Sequence, residues 1–123
     1  MSDENEIDVT GRAVWLGPAA DPAHPVYVGP DAFIEVAVNG DRKGEVTTHH
    51  IVLVNGAAPV FAAGPAPAPP LSQLELSGKD ARAQQEGRLV PVVGYMRGTT
   101  KTKGATRPLY EFFRTLDRRA RPS

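Results

Sequence analysis

The chain has 123 residues, enough for one domain with a core and too few for two. Its 14 Lys and Arg balance 14 Asp and Glu, so bulk charge selects no partner. With no cysteine, it excludes a disulfide scaffold, a thiol nucleophile and a Cys-based zinc site.

The opening "MSDENEID" is acidic and polar, the opposite of a signal or transit peptide. No apolar run approaches membrane-spanning length, which predicts a soluble, cytoplasmic protein without a membrane partner. Residues 1–6 read as a flexible acidic arm, 7–116 as the folded domain and 117–123 as a basic tail. "IDVTGRAVWLG" (7–17) mixes Val, Ile, Thr and Trp and stops at Gly17-Pro18, the pattern of a strand, with Trp15 read as core. "PAADPAHP" (18–25) is loop, and "VYV" (26–28) is a short strand candidate. "AFIEVAVNG" (32–40) alternates and is the clearest strand, with Phe33 expected in the core. "DRKGE" (41–45) is a charged turn. "THHIVLVNG" (48–56) is the next strand, and its neighbouring His49 and His50 face opposite sides.

"AAPVFAAGPAPAPP" (57–70) is rich in Pro and Ala and reads as a mobile loop, part of an insertion over 57–78. "LSQLELSGKDARAQQEGR" (71–88) holds the one helix candidate, over 79–86. "RLVPVVGYMR" (88–97) reads as a strand bent at Gly94. "RGTTKTKGATR" (97–107) reads as a hairpin arm, with Lys101 and Lys103 on one face of extended chain. "PLYEFFRTL" (108–116) reads as the final strand, with Phe112 in the core. The expected fold is therefore all-β: a five-stranded OB-fold barrel with a short helix or loop insertion between strands 3 and 4.

With the elements so placed, the chain resembles the bacterial single-stranded DNA-binding protein family. "DPAHPVYVGPDAFIEVAVN" (21–39), "THHIVLVNG" and "EGRLVPVVGYMRG" (86–98) carry the likeness. His49 stands where that family's third strand has a Trp, and His50 matches a histidine at its subunit interface. Lys101 sits where the fourth-strand hairpin carries a Trp, and Arg42 or Lys43 where a loop aromatic stands. Few of the stacking aromatics and none of the acidic tail are present, which points to a specialised relative: a phage, plasmid or primosomal-protein-like version.

The distribution of charge agrees with a polyanion partner. From Arg88 onward nine Lys or Arg face only Glu111 and Asp117. The expected function is binding single-stranded DNA, with little sequence preference, in replication, recombination or DNA transfer. The groove would comprise Arg42, Lys43, His49, Tyr95, Arg97, Lys101, Lys103 and Arg107, with Tyr95 as the stacking ring. The alternative is an OB-fold protein-interaction module, an accessory replication factor with little DNA affinity. On a strand, Pro91, Val93 and Tyr95 make an outer face apolar enough to predict cover by another subunit, in a homodimer or homotetramer. Replication or recombination proteins would be further partners. No motif of hydrolysis, phosphate binding or metal ligation occurs, so no enzyme, cofactor or metal is expected.

Overall fold

The computed structural model describes residues 6–18, 26–40 and 42–120. Its centre is an open five-stranded sheet, formed by β1 (Ala32–Asn39), β2 (Val46–Leu53), β3 (Val60–Ala63), β4 (Ser72–Ser77) and β5 (Lys101–Gly104). The strand order is β3-β2-β1-β4-β5. β1 and β4 run parallel and the other pairs antiparallel, with Val36 opposite His49 on one side and Leu74 on the other. The expected OB-fold barrel is corrected: the sheet has two edges, and four helices accompany it.

Period-2 alternation sets the sheet's two faces. Ile34, Val36 and Val38 of β1, Ile51 and Leu53 of β2, and Leu74 and Leu76 of β4 are buried on one face. Against them pack α1 (Arg12–Leu16), α2 (Gly78–Gln85), α3 (Pro91–Arg97) and α4 (Thr106–Ala120). On α4, Leu109, Phe112, Phe113 and Leu116 recur at i, i+3, i+4 and i+7, so one stripe of the helix faces the core. This is the segment expected as the last strand. Its aromatic composition suits either element, but its spacing suits only the helix.

Residues 88–97 are also helical where a strand was expected. Val90 is extended, Pro91 occupies the first helical turn, and Gly98 closes the helix in the left-handed region at φ 81°. Two punctuators thus override the β propensity of Val92 and Val93. In residues 7–17 only Arg12–Leu16 is regular, and it is helix rather than strand. Residues 26–28 form no strand. α2 lies where the helix was expected, with the Ser77 hydroxyl accepting from the Asp80 N–H at 3.1 Å.

The stretch 57–70 is corrected from a mobile loop. It contains β3, whose register against β2 runs from His49–Ala63 to Val52–Val60. Residues 64–71 then cross the face opposite the helices. There the Ala66 N–H donates to Glu35 Oε1 at 3.0 Å, and Gly64 O lies 3.0 Å from His50 Nδ1. Proline suits this crossing, because outside the ladder a missing N–H removes no strand-to-strand hydrogen bond. Among the described residues no helix is long and apolar enough to cross a membrane.

Candidate functional site

Two depressions stand out among the described residues. The larger, ≈ 340 Å³, lies on the sheet face away from the helices and is lined by Glu35, Ala37, Gln73, Leu74, Glu75, Lys101, Thr102 and Lys103. Lys101 pairs across strands with Glu75, and Lys103 with Gln73. The extended geometry expected for this arm is present, as edge strand β5. Its lysines, however, share their groove with two carboxylates, so it presents no cationic track for a phosphate backbone.

The other residues expected with them do not join them. Arg42 and Lys43 are exposed in the β1–β2 turn, Arg97 at the end of α3, and Arg107 in the first turn of α4. Tyr95 is half-buried and stacks on Phe113 with centroids 4.8 Å apart, so its ring is not free for a base. His49 is 1% exposed, on the opposite sheet face from Lys101 and Lys103. The separation also removes the oligomer argument: on a helix, Pro91 and Tyr95 share a face while Val93 points elsewhere.

His49 serves the core. Its Nε2 accepts a hydrogen bond from Trp15 Nε1 at 2.9 Å, and Gly11 packs closely against the ring. Burial pushes its pKa down to about 4, with neighbouring Asp8 opposing and His50 adding to the shift. It is therefore neutral at pH 7, with Nδ1 carrying the proton. Asp8 itself is drawn below the usual carboxylate range. Burial opposes this, but the N–H groups of Ala13 and Thr10 and the Thr10 hydroxyl outweigh it.

The second depression is ≈ 180 Å³ and lies among the helices. Trp15 and Leu16 of α1, Pro18 after it, Leu89, Val90, Pro91 and Val92 of the α2–α3 passage, and Phe113 and Leu116 of α4 make its apolar wall. Two polar side chains join them, the buried Gln84 and the exposed Asp117. Concave apolar walls with few polar groups are the usual make-up of a small-molecule site. Sequence reasoning missed this cavity, although the α4 stripe was a signal for it. Gln84 carried no signal, because a Gln in a short polar helix ordinarily faces water. Among the described residues no cluster of His, Asp or Glu is placed to hold a metal.

No protein-family model matches the chain, and no curated protein does. Solved structures do. Palmitated sterol carrier protein 2-like 2 of Aedes aegypti superposes with a TM-score of 0.57 at 14% identity, over 88% of this chain and 86% of that one. Sterol carrier protein 2 of Yarrowia lipolytica, in its apo form, gives 0.51 at 21% identity, over 65% and 67%. A conserved hypothetical protein of Thermus thermophilus, titled as possibly a sterol carrier protein, gives 0.51 at 23% identity, over 76% and 74%. At these identities the likeness is one of fold. It corrects the resemblance to the single-stranded DNA-binding family, and single-stranded DNA and replication or recombination proteins leave the account as partners. The alternative of an OB-fold interaction module falls with the barrel it required.

Proposed function

We propose that this protein binds a lipid or other small apolar molecule in the cavity bounded by α1, the α2–α3 passage and α4, and acts as its carrier rather than as a catalyst. The observation that carries the reading is the wall itself: nine apolar side chains around a partly open space, in a fold shared with proteins titled as sterol carriers and with one solved in palmitated form. The volume, ≈ 180 Å³, is below the roughly 300–1,000 Å³ of a typical ligand pocket. It exceeds the roughly 150 Å³ of an engineered apolar cavity that takes up benzene. A ring-sized ligand enters as the cavity stands; a long chain requires the wall to move. α3 is the part free to do so, since Gly94 is its one fully buried residue and Met96 is 78% exposed.

The carrier reading is tested by loading. The protein is incubated with vesicles of mixed neutral and acidic lipids, recovered by gel filtration and weighed by native mass spectrometry. The expected result is one lipid per chain, accompanied by a change in emission of Trp15, the chain's one tryptophan. Protein recovered without lipid and with unaltered emission refutes the reading.

A further inference from the structure

The larger depression, on the sheet face away from the helices, has no part in the carrier reading. Its volume, ≈ 340 Å³, falls within the roughly 300–1,000 Å³ of a typical ligand pocket. The strand registers set its side chains in two rows. Glu35, Gln73 and Lys103 form one, running from β1 through β4 to β5, and Ala37, Glu75 and Lys101 form the next. One carboxylate stands on β1 and one on β4, and both ammoniums stand on β5. Ala37, the smallest of the six side chains, keeps the floor low.

Opposite charges at facing positions of neighbouring strands, as in Glu75 and Lys101, ordinarily pair. These two do not, and neither lysine makes an ion pair among the described residues. The carboxylates have other partners. Glu75 Oε2 accepts from Asn39 Nδ2 of β1 at 2.8 Å, and Glu35 Oε1 accepts from the Ala66 N–H at 3.0 Å. Each is thus tied through one oxygen to a group outside β5 and keeps the other oxygen. Edge lysines alone would need no account, since they keep an exposed strand from pairing with another sheet. Two carboxylates held beside them, without neutralising them, do need one. An anion drawn to the lysines meets the carboxylates, and a cation drawn to the carboxylates meets the lysines. A ligand carrying both charges avoids either conflict.

We propose that this groove binds a small zwitterion: a primary ammonium and an oxyanion joined by a short chain. The ammonium donates to the remaining oxygens of Glu35 and Glu75. The oxyanion, a carboxylate or a phosphate, accepts from Lys101 and Lys103 Nζ. β1 and β5 lie two strand spacings apart, about 10 Å, which limits the chain between the charges to a few carbons. Quaternary ammoniums are held by aromatic faces, and among the described residues no aromatic side chain lines the groove. The site therefore takes a primary ammonium and passes over a choline-type group.

The test is a titration of isotope-labelled protein, followed by amide NMR shifts, with γ-aminobutyrate, butyrate, butylamine and the trimethylated form of γ-aminobutyrate at pH 7. Shifts are expected in β4, β5 and the facing part of β1. γ-Aminobutyrate should bind about fivefold tighter than butyrate or butylamine, the size set by exposed ion pairs, and its trimethylated form no tighter than butyrate. O-phosphoethanolamine and vesicle flotation distinguish the sources of such a ligand. Flotation with phosphatidylethanolamine vesicles in excess of phosphatidylcholine vesicles assigns a lipid headgroup; shifts with the free zwitterions and no such excess assign a soluble one. Glu35→Gln with Glu75→Gln keeps an amide oxygen for Ala66 and Asn39, so the fold stands while the anionic wall is lost. This variant should bind γ-aminobutyrate no better than butyrate, and Lys101→Gln with Lys103→Gln no better than butylamine. Equal binding of γ-aminobutyrate and butyrate by the parent, no shift in β4 and β5, or an undiminished preference in either double variant overturns the proposal. None of these outcomes touches the cavity reading, which is tested on the other face of the sheet.

Discussion

Acidification below pH 6.5 should destabilise this protein through His49. The imidazole is 1% exposed and accepts from Trp15 Nε1, so only its neutral form fits. Burial holds its pKa at about 4, against 6.5 for a free histidine. Between those two values the unfolded chain binds the proton and the folded chain does not. Stability therefore rises with pH across this window: it is complete above about pH 7 and is lost as pH falls from 6.5 toward 4. The gap is worth about 3 kcal/mol, a large share of a small domain's stability. Asp8 acts lower down. Its folded pKa is depressed, so its contribution is present above the unfolded carboxylate value and is lost only as pH falls through the folded one. Urea titrations followed by Trp15 emission at pH 7.5, 5.5 and 4.5 measure the effect. His49→Gln supplies the control, because an amide oxygen can accept from Trp15 but cannot titrate. The parent should lose stability relative to the variant across the window. Parallel losses in the two proteins would refute the assignment of a neutral, sealed His49.

Gly11→Ala should destabilise by about 3 kcal/mol, since φ is +79° and the new Cβ would press into the His49 ring; urea midpoints check this. Phe113→Ala removes a ring that is 3% exposed and packs on Trp15, Phe112 and Tyr95, and should cost about 3–5 kcal/mol in the same assay. Ser77→Ala removes the α2 cap and should cost about 1 kcal/mol, read as a lowered melting temperature. Lys101→Glu places a carboxylate opposite Glu75 and should cost up to about 1 kcal/mol, easing as salt is raised.

The legible parts of the fold were those where one physical signal stood alone. β1 alternates cleanly, and Ile34, Val36 and Val38 are buried as that pattern demands. His49 and His50 part to opposite faces for the same reason. α2 follows from its cap. The misread segments were those where composition and spacing disagreed. Residues 88–97 and 108–116 are rich in Val, Tyr and Phe, which pleated surfaces favour. Yet Leu109, Phe112, Phe113 and Leu116 keep a helical period, and Pro91 with Gly98 frames a helix of seven residues. Reading those two as strands closed a barrel on paper and converted scattered cations into a groove. Phe33 was misplaced for a subtler reason. It lies out of phase with Ile34 and Val36, so it faces the crossing segment and His50, with ring centroids 6.2 Å apart, instead of the helices. The cavity lay beyond reach because its lining comes from three separate stretches, 15–18, 84–92 and 113–117, that only the helix packing brings together.

That packing makes the cavity unequal on its two sides. Trp15 is fixed at one side by its bond to His49 and by edge contacts to Phe112 and Phe113 at 5.7 and 6.1 Å. Those rings rest in turn on the buried face of the sheet, so this wall cannot yield without exposing the core. The opposite wall, from Leu89 to Val92, has no such backing. Val90 is 55% exposed, and α3 joins the core through the partly buried Val92 and Tyr95. A ligand entering past Val90 would displace the loose wall and press against Trp15. The fluorescent residue thus sits on the rigid wall, where a ligand in the cavity touches it directly.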